Sequence, residues 1–176
     1  MNYFELYDLP LSLVVDEIVV KNRYDQLIDK YRPDNSETDD GLKQTTEDEK
    51  ILMIEEAYYV LKNTDETIRY VLELKNFLPD DSSEYSPQFK MEVRDIDEEL
   101  MELELDENQE QLMEVEQKVN TLLIKIYEDI EPVIESYKED TATEETLLQV
   151  KDFYFEKKYL QRILDRINVI RNIDSP

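Results

Sequence analysis

Tyr24-Asp25-Gln26-Leu27-Ile28-Asp29-Lys30-Tyr31-Arg32-Pro33-Asp34 is the stretch from which the fold can be read. Val20 just before it, then Tyr24, Leu27, Ile28 and Tyr31, recur at helical spacing and make one apolar stripe. Pro33 then ends the pattern. Proline has no N–H and pushes the preceding residue out of the α region, so the helix is predicted to stop at Tyr31 or Arg32 and a loop of set shape to begin. Lys21, Arg23, Asp25, Asp29 and Lys30 fall off the stripe and read at minimum as a solvated face.

Toward the N-terminus, Asp16 has the character of an N-cap for this helix. Asn2 to Pro10 reads as one short helix closed by proline, and Phe4, Leu6, Tyr7 and Leu9 are too apolar for a free tail. Toward the C-terminus, Asp34 to Thr46 is polar, contains Gly41 and is expected to be a loop. Ile51, Ile54, Ala57, Tyr58 and Leu61 then predict a helix to about Lys62. Asn63-Thr64-Asp65 breaks it and caps a short helix through Ile68, Val71, Leu72 and Leu74. These pieces make a first domain at 1–77. Two prolines and small polar residues from Leu78 to Pro87 mark a linker, 78–87.

The remaining residues, 88–176, carry three long stripes. Phe89, Val93, Ile96, Leu100 and Leu103 form the first, and Val115, Val119, Leu122, Ile126, Ile130, Val133 and Tyr137 the second. Val150, Phe153, Leu160, Ile163, Ile167 and Ile170 form the third. Short connections, one of them Thr141-Ala142-Thr143, imply an antiparallel three-helix bundle with Pro132 a kink point in its second helix.

The composition agrees and removes whole classes of function. A single glycine among 176 residues leaves only Gly41 as the ordinary supplier of positive φ, which argues for an all-α chain. With 40% hydrophobic residues a core can form despite 37% charge. There is no Cys and no His, which removes thiol chemistry, disulfides, zinc-type sites and imidazole acid–base catalysis. No cofactor and no metal site is expected, since no spaced Asp/Asn loop with its glycine is present. A net charge of −25 opposes binding to nucleic acid or to an anionic membrane. The first residues lack a signal-peptide layout and no apolar run reaches about 18 residues, so a cytoplasmic protein is the default expectation.

Two features exceed what packing needs. Between Glu92 and Gln117 there are twelve acidic residues and one basic one, Arg94; the bland reading is a solubilising face. Phe155 lies about 200° around the helix from Phe153 and so leaves the buried stripe, either to cover a bundle edge or to anchor a partner.

The order of parts resembles a known family. Asn2-Tyr3-Phe4-Glu5-Leu6, the stripe into Tyr31, Pro33-Asp34, Ile54 to Lys62 and Arg69 to Leu74 are similar to a J domain. More narrowly they resemble the HscB-type (Jac-type) co-chaperones of iron–sulfur cluster assembly, in which a J domain precedes a three-helix bundle. Phe89 to Leu100 is similar to the stretch with which that bundle grips its client scaffold, and Phe155 stands at an aromatic position of the same face. The resemblance implies a protein without chemistry of its own. Its J domain would dock on a DnaK/HscA-class ATPase chaperone through Lys21, Arg23 and Lys30 and the loop Arg32, Pro33, Asp34. Its bundle would hold an iron–sulfur scaffold protein through Lys90, Met91, Arg94, Asp95, Glu98 and Phe155.

The chain departs from the family at both surfaces. Arg32-Pro33-Asp34 stands for His-Pro-Asp, Asn35 for a common lysine, and Asp25 and Asp29 dilute the basic face. Arg keeps charge and donors but not the shape of imidazole. Lys90 and Arg94 occupy positions that are usually leucine. Two readings therefore stand: a working co-chaperone, or a degenerate J-like adaptor or decoy that stimulates no ATPase. An enzyme built on Glu98, Glu99 and Glu102 is the remote third, since no glycine-rich loop or histidine accompanies them.

Overall fold

The computed structural model describes residues 1–31, 41–78, 85–104 and 108–173, and among them every regular element is a helix. In order these are α1 (Tyr3–Leu6), α2 (Glu17–Tyr31), α3 (Gly41–Leu61), α4 (Thr64–Leu74), α5 (Pro87–Leu103), α6 (Gln109–Ser136) and α7 (Glu144–Ile173). They fall into two compact units, one of Met1–Asn76 with Glu135–Ala142, the other of Phe77–Ile134 with Thr143–Pro176.

In the first unit, α1, α2 and α4 all pack on α3. Phe4, Tyr7, Val20, Ile54, Ala57, Ile68, Val71 and Leu72 are buried there, while Tyr24, Leu27, Ile28 and Tyr31 line α2 half-buried. The Tyr7 hydroxyl donates to the Ile54 carbonyl at 2.7 Å, and burial pushes that phenol well above its usual range. Thr67, the buried polar side chain of this core, donates to the Val60 carbonyl at 2.9 Å, so its hydroxyl is not left unpaired. The Tyr3 ring stacks on Tyr70 at 4.4 Å and Tyr24 lies 4.5 Å from Tyr58, adding aromatic contacts where helices meet.

The caps explain the boundaries. Asp16 Oδ1 accepts from the amides of Ile18 and Val19, which starts α2 where the sequence places it. Asn63 does the same for α4 through the amides of Asp65 and Glu66. Two expectations change. Of the loop predicted for Asp34 to Thr46, residues 41–46 belong instead to α3, and residues 34–40 lie outside the described residues; Leu42, Lys43 and Gln44 are good helix formers, and polarity alone does not keep them out of a helix. The segment Asn2 to Pro10 is helical only over Tyr3–Leu6, because Asp8 turns left-handed at φ 52°.

That turn shows how a chain with one glycine ends its helices. The amides of Asp8 and Leu9 bond back to the carbonyls of Glu5 and Phe4, the paired closure in which glycine usually takes the left-handed place. After α4, Asn76 takes φ 58° and its amide bonds to Glu73. Gly41, the one glycine, lies in α3 and takes no positive φ. Short polar side chains tolerate the left-handed region better than other residues, which is why Asp and Asn serve. Leu74 is 37% exposed rather than buried, since α4 ends there.

The second unit is the bundle of α5, α6 and α7. Ser86 Oγ accepts from the Phe89 amide with Pro87 at the first turn, so α5 begins with both standard start signals. Every predicted stripe residue on α5 and α7 is buried. On α6, Leu122 and Val133 are half-buried, and Ile134 takes a buried place beside them. Pro132 lies inside α6, which continues to Ser136.

Candidate functional site

Two surfaces carry the residues singled out in the sequence, one on each unit. On the first, α2 presents Lys21, Arg23 and Lys30. Arg32, Pro33 and Asp34, with Asn35, lie outside the described residues. Helical periodicity puts Arg23 and Lys30, seven apart, on one side of α2, and Lys21 about 200° from Arg23 on the other, so the three cations do not form one cluster. Each also has a local contact. Lys21 Nζ bridges Asp25 at 3.0 Å, and that carboxylate, bonding first and by charge second, raises the lysine's pKa. Arg23 Nη2 sits 3.1 Å from Asp8 Oδ2, and Lys30 Nζ lies over the Tyr31 ring at 5.2 Å. Lys50 from α3 covers the same Tyr31 ring at 5.1 Å, and Lys62 lies over Tyr58 at 4.9 Å. Ile18, 72% exposed, and Asp29 share the Lys21 side of α2 by spacing.

On the second unit, α5 divides into three sides. Phe89, Val93, Ile96, Leu100 and Leu103 face the core. Toward α6, Glu92 meets Lys125 at 2.5 Å and Glu99 meets Lys118 at 2.6 Å. Lys125, chiefly through its hydrogen bond, holds the Glu92 carboxyl below its usual range. Toward α7, the Tyr159 hydroxyl donates to Asp97, and Arg166 meets Glu104 at 2.7 Å. Burial first, then that bond to Asp97, pushes the Tyr159 phenol up to about 12. Acidic residues expected to be a plain solvated face are thus, in good part, ion-pair partners between helices.

The outer side of α5 holds Lys90, Met91, Arg94, Asp95 and Glu98, all exposed, with Met91 at 69%, and Met101, 61% exposed, and Glu102 continue it toward the C-terminal end. Their spacing places them on one continuous face. Arg94 reaches Asp95 at 3.4 Å and Glu98 at 3.9 Å, so its charge is balanced on its own helix. Phe155 is half-buried on α7, in edge contact with Tyr154 at 5.3 Å. Phe155 and Tyr159 are four apart and share a flank of α7; because Tyr159 reaches α5, Phe155 lies on the side of α7 that borders it. Of the carboxylates considered for chemistry, Glu98 faces Arg94 and Glu99 faces Lys118. Among the described residues no three metal-ligating side chains cluster.

One residue carried no signal in the sequence. Glu156 is half-buried at the junction of α5 and α7, its carboxylate 3.5 Å from the Ser86 hydroxyl. Burial first, then the nearby Asp152 charge, pushes it up to about 7, against a smaller opposing effect of the Ser86 bond. Nothing in local periodicity separates Glu156 from its solvated neighbours.

No protein-family model matches the chain. A co-chaperone protein HscB homolog of Acinetobacter baylyi is 28% identical over 174 residues, covering 96% of this chain and 90% of the relative. Among solved structures, chaperone HscB from Vibrio cholerae matches at a TM-score of 0.66 and 20% identity, covering 98% of both chains. Human co-chaperone protein HscB matches at 0.72 and 21% identity, covering 97% of this chain and 82% of that one. The resemblance to HscB-type co-chaperones therefore extends along the chain in sequence, and the fold is the all-α HscB fold of a J domain and a helical bundle.

Proposed function

We propose that this HscB-like chain is a non-enzymatic, cytoplasmic co-chaperone adaptor, with a J domain at 1–77, a linker at 78–87 and a client-binding bundle at 88–176. The J domain docks on an Hsp70-kind ATPase chaperone of the DnaK/HscA class through Lys21, Arg23, Lys30 and the Arg32-Pro33-Asp34 loop. The bundle presents an iron–sulfur scaffold protein on the outer side of α5 together with Phe155. Homology to HscB co-chaperones supports the co-chaperone role and a chaperone partner. The observation that carries the client face is the separation of roles on α5: its two flanking rows of carboxylates are engaged by α6 and α7, while Lys90, Met91, Arg94, Asp95 and Glu98 are left outward. No described helix is long and apolar enough to cross a membrane.

The test is single-turnover ATP hydrolysis by the organism's own DnaK-class chaperone, with and without this protein. Stimulation is expected. A second reading, an adaptor that binds without stimulating, is favoured by Arg32 and by the ion pairs of Lys21 and Arg23 with Asp25 and Asp8. Arg32→His separates the two. In a working co-chaperone it changes the rate modestly; in a degenerate one it creates stimulation from none.

A further inference from the structure

A second face of the bundle, away from the outer side of α5, is unaccounted for by that function. Along α6, Met113, Gln117, Asn120, Ile124, Tyr127 and Glu131 follow one another at spacings of three and four and are all exposed. Met113 is 65% exposed, Ile124 60% and Tyr127 48%, large apolar groups that stand largely outside the buried core of the bundle. Ile124 and Tyr127 form one wall of a groove whose other wall is α7, with Leu164, Gln161 and Lys157. Phe153 lies at its base, its ring 6.4 Å from that of Tyr127. A second depression continues along α6 past Ile124 to Met113.

Charge selects the occupant. Glu128 and Glu131 line the groove, and Glu110 and Glu114 line its continuation, where Glu116 is already bridged to Arg171 at 2.5 Å. Lys157 is the cation there, with its Nζ over the Phe153 ring at 5.9 Å. An apolar line bordered by carboxylates fits a ligand with an apolar stripe and basic flanks, and the chain's net charge of −25 opposes a second copy at the same place. Backbone selects its form. Both walls are helices whose amides and carbonyls are internally bonded, so no edge is offered to a strand, and the occupant must satisfy its own backbone. From Met113 to Tyr127 the line runs for about 21 Å, or roughly four turns of a partner helix.

We propose that the α6–α7 groove, continued along α6 to Met113, is a docking site for a basic amphipathic helix of a partner protein. It is separate from the α5 face and does not depend on ATPase stimulation.

The probe is a fluorescein-labelled synthetic helix of about 18 residues, leucines at i, i+3, i+4 and i+7 with lysines between, titrated by anisotropy against the full chain. A scrambled peptide of the same composition is the control for attraction by charge alone. The ordered peptide is expected to bind at least about tenfold tighter than the scrambled one and to weaken with salt. Ile124→Ser with Tyr127→Ser is expected to remove most of that advantage, and Met91→Ala on α5 to leave it unchanged. Both substituted side chains are exposed, and circular dichroism checks that the variant is folded. Equal binding of the two peptides, no binding, or no effect of the double substitution would overturn the proposal. So would a wild-type dimer in sedimentation that the double substitution abolishes, since the occupant would then be a second copy.

Discussion

Arg23 Nη2 lies 3.1 Å from Asp8 Oδ2, a contact that ties a cation of α2 to the left-handed turn closing α1. The carboxylate is largely exposed, so the pair adds little to stability, but it partly neutralises a charge assigned to chaperone docking. Asp8→Asn keeps a side chain suited to φ 52° while removing the negative charge. The expected result is a chaperone Kd about 2–5-fold tighter at low ionic strength, the gain fading toward 0.5 M salt. Titration calorimetry at two salt concentrations reads it. An unchanged or weaker Kd would show that Arg23 takes no part in docking.

On α5, Arg94→Leu restores the apolar type usual for HscB-type proteins at that position and releases Asp95 and Glu98 from their shared partner. Binding of an iron–sulfur scaffold is expected to tighten about fivefold, and Met91→Ala to weaken it by a similar factor. The same calorimeter measures both. If neither variant shifts the Kd, the client surface lies elsewhere on the bundle.

The left-handed cap of α4 predicts a simple stability series. Asn76→Gly is expected to be neutral or slightly stabilising, whereas Asn76→Ala is expected to cost about 1 kcal/mol, because a β-carbon opposes φ 58° without a side chain to bond locally. Urea denaturation of the two variants gives the comparison, and equal midpoints would contradict the assigned cap.

Glu156 predicts a pH dependence of the bundle. Its carboxyl is raised from 4.5 to about 7, so between those values the folded chain binds more proton than the unfolded one. Stability from this group is therefore lost as pH rises from about 4.5 through 7, the reverse of the behaviour of a salt-bridged carboxylate. Carboxyl NMR is expected to show Glu156 titrating near 7, with Asp152→Asn lowering that midpoint and Ser86→Ala raising it. Glu156→Gln should gain about 1–2 kcal/mol at pH 8 and nothing near pH 4.5, the figure allowing for screening of a half-buried group. A variant equally stabilised at both pH values would remove ionisation as the cause.

Tyr7→Phe tests the core of the first unit. The Ile54 carbonyl loses a buried donor at 2.7 Å, and the expected cost is about 1 kcal/mol. Ile54→Ala, which keeps that carbonyl and removes fully buried apolar volume beside it, is expected to cost about 2–5 kcal/mol. If thermal unfolding ranks the two in the opposite order, hydrogen bonding rather than packing dominates here.

The amino-acid sequence by itself determined the helices, their stripes and most of their ends. Those are local properties: spacing along one helix decides which residues share a face, and Asp16, Asn63 and Ser86 start helices by bonding amides two or three residues away. It also carried the resemblance, because the order of stripes, breaks and linker survives where individual docking residues do not. The tertiary structure alone decided the state of the charges. Whether a carboxylate is solvated, paired or buried depends on what another helix brings to it: Asp8 and Arg23 are 15 positions apart, Asp97 and Tyr159 are 62, and Ser86 and Glu156 are 70. Periodicity holds no information at such separations. The twelve acidic residues between Glu92 and Gln117 thus look alike in the sequence, and only packing sorts Glu92, Glu99 and Glu104 into bridges between helices while leaving Glu98 on the outer face.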